Sequence, residues 1–387
     1  MALRRAHGFT RYLISLQYHG GSFLGIAWQG EKGEDCVLPD GTDLRGLTTV
    51  EGRIRKALAS LVGGGNYENI QVSSRTDRGV HALKNTFHVD IRSRKYEPSI
   101  MQSPGMAWDL HSLRDGLNFH LVQQASDMVD GGSIRRKRRR RRVGTMYNSR
   151  DPFKSNAWLQ SVYRNSVENS LRILNVVHAP DSLANKFHTG QPGCEQPLEV
   201  DWNARFAATG RTYVYRILHF TGDERNAFVP FEYDRVWKIS GDTEPLNIDA
   251  MNVAGRHLCG THDFTSFRGR LCQRSSPIVT LDQVHVESYP YSQIGNLHAQ
   301  SLASGDGGAL DSRPMSARLY TVTITGESFL YRQVRNIVGC LIHVGQGKLT
   351  ADDVQHILDE RDRKIAPPMA PPHGLFLSDV RYSDVVL

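Results

Sequence analysis

Apolar positions along this chain change period several times, and each change marks an element. Tyr12, Ile14, Leu16 and Tyr18 alternate with Leu13, Ser15 and Gln17, the spacing of a half-buried strand. Val50, Ile54, Leu58 and Leu61 then recur at helical intervals behind Thr48 and Glu51, a capping-box spacing, until Gly63, Gly64 and Gly65 stop them. Ile70 and Val72 predict a short strand. Phe87, Val89 and Ile91 predict another, alternating with Thr86, His88 and Asp90. Ser103-Pro104 opens a predicted helix with Met106, Leu110, Leu113 and Leu117 on one side.

The second half carries the same mixture. Strands are predicted over 213–219, 278–287, 319–325 and 375–382, and helices over 248–258 and 352–360, the latter capped by Thr350. A long helix lies between, with Leu330, Val334, Ile337, Val338, Leu341 and Val344 as its apolar stripe and Arg335 beside that stripe. Strands and helices mixed without strict alternation define an α+β fold. Two stretches break the pattern. Residues 122–200 contain Gly131-Gly132, Gly190 to Gly193 and the run RRKRRRRR, and residues 289–317 are rich in Ser, Gly and Pro. Both read as surface-loop insertions, leaving an N-terminal half over 8–121 and a C-terminal half over 201–387.

Composition changes this picture little. A chain of 387 residues with 39% hydrophobic content can bury a core in two modest domains or in one large catalytic domain with insertions. The net charge of +7 suggests a nucleic-acid partner until the run Arg135 to Arg142 is set aside, which leaves −1. Any RNA-binding face is therefore a local arrangement. Eight adjacent cations stay solvated unless phosphates neutralise them; nucleic-acid contact, nuclear import and a plain charged loop all remain open for that run. Five scattered cysteines suit reduced thiols inside a cell, and no stretch of about eighteen apolar residues offers a membrane span. The basic, acid-free start MALRRAHGFTR is a weak sign of a mitochondrial presequence, so the expected compartment is mitochondrial, cytoplasmic or nuclear.

Candidate chemistry concentrates between the two N-terminal strands, where residues 73–83 read SSRTDRGVHAL. A carboxylate attacks carbon well only if it stays ionised in a site that excludes water, which requires a nearby cation and a pre-set backbone. Asp77 lies between Arg75 and Gly79, and Gly79 permits a sharp turn at positive φ. The same residues also suit an ordinary polar turn joining two strands. Elsewhere, His257, Cys259 and His262 lack the further ligands of a structural zinc site, so no metal is expected. Gly345-Gln346-Gly347-Lys348 lacks the spacing of a phosphate loop, and no nucleophile-elbow motif occurs.

The run RTDRGVHA resembles the RTDAGVHA motif of the TruA family of tRNA pseudouridine synthases, whose aspartate corresponds to Asp77. ARFAATGRTYVYRI from Ala204, GTHDFTSFR from Gly260, SFLYRQVRNIVGCLIHVG from Ser328 and HGLFLSDVRY from His373 resemble the same family in the same order. SSRTD, SFLYRQVR and MAPPHGLFL point within it to the tRNA pseudouridine synthase-like branch. The resemblance implies two similar α+β halves around a central, mostly antiparallel sheet with a catalytic cleft, a homodimer, tRNA as substrate and no cofactor. It implies Asp77 as nucleophile, Tyr213 as the ring that stacks on uracil and takes part in removing the C5 proton, and Arg335 as the partner of Asp77. Arg75, Arg211 and Arg268 become candidates for phosphate contacts, and Leu375 and Leu377 for an apolar floor beneath the base. Tyr213, Leu375 and Leu377 equally suit a plain core, and each arginine a solvated surface.

Three departures from the family pattern bear on the substrate. Arg78 stands in place of the usual alanine, Ile26-Ala27 interrupts the expected GWQ, and Asp201-Trp202-Asn203 replaces a histidine-containing lead. The alternative to an isomerase is a non-catalytic RNA-binding protein that keeps the fold.

Overall fold

The computed structural model describes residues 8–27, 49–93, 106–124, 170–183, 200–221, 232–242, 244–291 and 317–387. The Arg135 to Arg142 run, Ser103-Pro104, Thr48, Cys36, Cys194 and most of 289–317 lie outside them. The chain divides into two compact units, one comprising Met1–Ala208 with Tyr382–Leu387 and the other Thr209–Arg381. Both mix helices with mostly antiparallel sheet, the α+β class expected.

In the first unit, β1 (Phe9–Tyr18) lies between β3 (His81–Arg92) and β4 (Leu171–His178), antiparallel to both, and β2 (Tyr67–Val72) pairs with β3. Strand β4 falls inside the 122–200 stretch, so part of that stretch belongs to the framework. The strands are not half-buried as the alternation suggests. Leu13, Ser15, Thr86, His88 and Asp90 are as buried as Tyr12, Ile14 and Phe87, because Leu13 packs with Trp202, Ala204, Ala207 and the C-terminal Leu387.

Covering polar strand positions demands internal partners. Arg11 and Asp90 meet through two 2.6 Å hydrogen bonds, and Arg11 also donates to the Trp202 carbonyl. His88 Nδ1 accepts from the Ala204 N–H at 3.0 Å, and burial beside Arg11 pushes its pKa down to about 3. Trp202 Nε1 donates to Asp384 at 2.7 Å. The Asp201-Trp202-Asn203 departure is thus part of this cover: Trp202 is fully buried and Asn203 caps the short helix Ala204–Ala207.

Helix α1 (Val50–Val62) is capped by Thr49, one residue later than expected, whose hydroxyl accepts from the Gly52 N–H. Gly63 ends it at φ +90°. Helix α2 covers residues 110–124, starting well after Pro104 and leaving Met106 exposed. Its Leu113, Leu117 and Leu121 are buried, and Gly116 leaves room for Leu61 of α1.

The sheet of the second unit runs β10 (Leu375–Tyr382), β5 (Ala208–Thr221), β9 (Ala317–Gly326), β8 (Ile278–Pro290), β7 (Gly260–Asp263), with β6 (Trp237–Asp242) parallel to β5. Helices α3 (Ile248–His257), α4 (Gln333–Gly345) and α5 (Ala351–Glu360) accompany it. Thr350 caps α5 in a reciprocal capping box with Asp353. Helix α4 starts at Gln333 rather than Leu330, because Arg332 takes a left-handed conformation at φ +63°. It is buried almost all round rather than along a stripe, and Arg335 and Asn336 are buried with it.

Candidate active site

Asp77 lies on the segment from β2 to β3, as the sequence reading places it. Its carbonyl accepts from the Val80 N–H at 3.1 Å, closing a four-residue turn whose third residue, Gly79, has φ +80°. That sign is what a type II turn requires at that place, and it explains the glycine. Arg78 occupies the second position of the turn and is exposed. Arg75 is exposed as well, and Asp77 is half-buried.

Two sets of contacts fix the turn. One centres on Asn85 of β3, fully buried, with every polar position of its amide engaged. Its Nδ2 donates to the Ser74 carbonyl at 3.0 Å and to the Tyr18 hydroxyl at 3.2 Å; its Oδ1 accepts from Ser73 Oγ at 3.0 Å and the Thr86 N–H at 2.8 Å. The Tyr18 hydroxyl in turn meets Thr76 Oγ1 at 2.8 Å. In the other, the segment after β1 presses on the turn. Gly20 is so close that a Cβ there would stand 2.2 Å from the Val80 carbonyl oxygen, and its N–H donates to His81 Nδ1 at 3.0 Å. Gly25, at φ +116°, lies over Thr76, and the Ile26 N–H donates to the Thr76 carbonyl at 3.3 Å. The Ile26 departure from the family pattern therefore sits directly on the Asp77 loop. Sequence reasoning missed Tyr18, Gly20, Gly25 and Asn85; a glycine pair just after a strand is the only signal that pointed to them.

Tyr213 and Arg335 belong to the second unit. Arg211, Tyr213 and Tyr215 share one face of β5 by strand alternation. Tyr213 is 7% exposed, its ring edge-on to Phe329 at 4.9 Å. Tyr215 is fully buried, donates its hydroxyl to the Pro371 carbonyl at 2.7 Å and has its phenol pKa raised by burial. Arg335 Nε donates to the Ala370 carbonyl at 2.8 Å while the Ala370 N–H returns a bond to the Arg335 carbonyl at 3.1 Å. Its charge acts on both Tyr215 and His373, and the His373 pKa is lowered by burial first and by Arg335 as a smaller effect.

Of the other candidates, Arg211 Nη1 donates to the Glu327 carbonyl at 2.6 Å, and Arg268 Nη2 donates to the carbonyls of Cys272, at 3.1 Å, and Arg274. Both guanidinium groups thus brace local backbone. Leu375 and Leu377 are buried in β10. His262 Nε2 is hydrogen-bonded to the Cys259 carbonyl at 2.8 Å, and among the described residues no three potential ligands gather around a metal position.

The first unit thus presents a carboxylate on an immobilised turn, and the second a buried arginine tied to main chain and acting on Tyr215. Residues 254–383 match the profile of a family described as tRNA pseudouridine synthase. The chain is similar, at 27% identity over 376 residues covering 97% of each chain, to the tRNA pseudouridine synthase A of Ruegeria sp. (strain TM1040). Proteins of the same name from Sinorhizobium fredii and Brucella ovis are also 27% identical, over 96% of this chain and 99% and 98% of theirs. Those alignments span both units, whereas the family profile covers part of the second and only two residues of the first.

Proposed function

We propose that this chain isomerises specific uridines in tRNA to pseudouridine, with Asp77 as the nucleophile. The observation that carries the reading is the Asp77 turn, held by the Tyr18–Thr76 hydrogen bond and the close approach of Gly20 to Val80, in a chain similar over nearly its whole length to tRNA pseudouridine synthases. The reaction breaks the N1 to C1′ glycosidic bond, joins C5 to C1′, moves a proton from C5 and returns one to N1, so it is redox-neutral. Asp77 adds to the substrate, at C1′ or at C6 of the base, and leaves when the new bond forms. A uridine stacked in folded tRNA must first be extruded. Tyr213 supplies the ring against the displaced base and participates in loss of the C5 proton, and Arg335 keeps Asp77 charged. The tethering of Arg335 to Ala370 supports that role, because a guanidinium with one nitrogen fixed has a defined plane for its remaining donors. The enzyme acts as a homodimer, in keeping with the family.

The test is release of tritium from tRNA labelled at uridine C5. Wild-type protein is expected to release it catalytically, whereas Asp77→Ala binds tRNA without release. Equal, negligible release by both, with binding intact, would establish an RNA-binding protein instead.

A further inference from the structure

We infer that Tyr18 and Asn85 are positioning residues that set the Asp77 carboxylate, acting through Thr76. The inference rests on Asp77 being the nucleophile. Both residues come from the paired strands β1 and β3, and both are buried. The register of that pair slips between Leu16 and Tyr18, so Tyr18 leaves the regular ladder opposite Ala82, where β3 emerges from the Asp77 turn.

Asn85 Nδ2 can only donate, so the Tyr18 oxygen accepts from it, while the Tyr18 and Thr76 hydroxyls share a hydrogen bond that either of them can donate. The same amide nitrogen spends its second hydrogen on the Ser74 carbonyl, and Oδ1 holds the Ser73 hydroxyl. Three of the four residues before Asp77 are thereby tied to rigid strands. A polar cluster so placed is costly to leave half-satisfied. Purely structural packing would be served as well by phenylalanine and leucine. What the polar set adds is a defined orientation for the backbone that carries the carboxylate, and misplacing a reacting group by about 1 Å costs on the order of 100-fold in rate.

The experiment measures kcat, KM for tRNA and melting temperature for Tyr18→Phe, Thr76→Val, the double variant and Thr76→Ser. Asn118→Ala, which removes two hydrogen bonds to Ile173 far along the chain from the loop, is the control for simple loss of stability. We expect Tyr18→Phe and Thr76→Val each to lower kcat by roughly 10-fold or more with KM within about twofold, the double variant to lose no more than either, and Thr76→Ser to restore wild-type kcat. Asn118→Ala is expected to lower melting temperature with kcat unchanged. Wild-type kcat in Tyr18→Phe, or a fall matched by Asn118→Ala at equal melting temperature, would overturn the inference. Asp77→Ala in the same assay separates the two readings: if it turns over, the nucleophile assignment fails, and if it is inert while Tyr18→Phe is fully active, only the positioning role fails.

Discussion

Adding one methyl group at Gly20 should slow the reaction without loosening the grip on tRNA. An ideal Cβ at Gly20 would lie 2.2 Å from the Val80 carbonyl oxygen, 2.3 Å from its carbon and 2.8 Å from the Gly79 carbon. Ordinary contact starts at 3.4 Å, and all three atoms are main chain, so no side chain can swing aside. The segment after β1 and the Asp77 turn must therefore part by roughly 1.2 Å, a displacement in the range that costs about 100-fold when it moves a reacting group. Overpacking of this kind costs about 1–3 kcal/mol of stability, which leaves a folded protein to assay. Single-turnover tritium release from C5-labelled tRNA, alongside a binding titration, should show Gly20→Ala slowed by one to two orders of magnitude with affinity little changed. Gly64→Ala is the matched control, because nothing lies within 4 Å of a Cβ there. Gly20→Ala with a wild-type rate would show that the turn is not held by that contact, and the reasoning from backbone fit to catalysis would fail.

Further outcomes are expected from other parts of the molecule. Asp90→Asn leaves the buried Arg11 charge uncompensated and should cost about 3–5 kcal/mol, read as a lower urea midpoint at unchanged slope. His88 is neutral when folded because burial lowers its pKa from 6.5 to about 3. The unfolded chain therefore binds the extra proton between those values, and stability falls as pH drops through that window by up to about 1.4 kcal/mol per unit. His88→Gln should flatten that part of the profile; an unchanged slope would show that another group sets it. Arg78→Ala should weaken tRNA binding and shallow its salt dependence by about 0.7–0.9 in log–log slope if the exposed guanidinium meets one phosphate, and leave both unchanged if it meets only water.

Much of the fold was legible because each element carries its own period. The closing strand, β10, spans the residues its alternation marked, and Thr350 caps α5 as its spacing suggested. What escaped was set by neighbours distant in sequence. Ser15, Thr86 and Asp90 read as solvent-facing positions, yet Trp202 and the C-terminus cover that side of the sheet. The stripe of α4 set Arg335 beside its apolar side, and its burial escaped for the same reason, since a buried arginine needs an acceptor that only the fold supplies, here the Ala370 carbonyl. At the site, Asp77 and Gly79 stood out through local turn chemistry. Asn85 did not, because nothing in a strand sequence says which loop its amide will bind.

The acceptor that steadies Arg335 is main chain, and no substitution at position 370 can delete a carbonyl. Pro367, Pro368, Pro371 and Pro372 fix much of the path that delivers it, and Gly339 of α4 lets the Pro368 oxygen lie against the helix, where a methyl group would stand 2.1 Å away. Within residues 366–372, the prolines, the buried Ala370 and the length of the stretch are therefore constrained together. Homologous chains should keep the arginine's aim as long as they preserve the residue count and the helix glycine, and a single insertion there should do more harm than several exchanges.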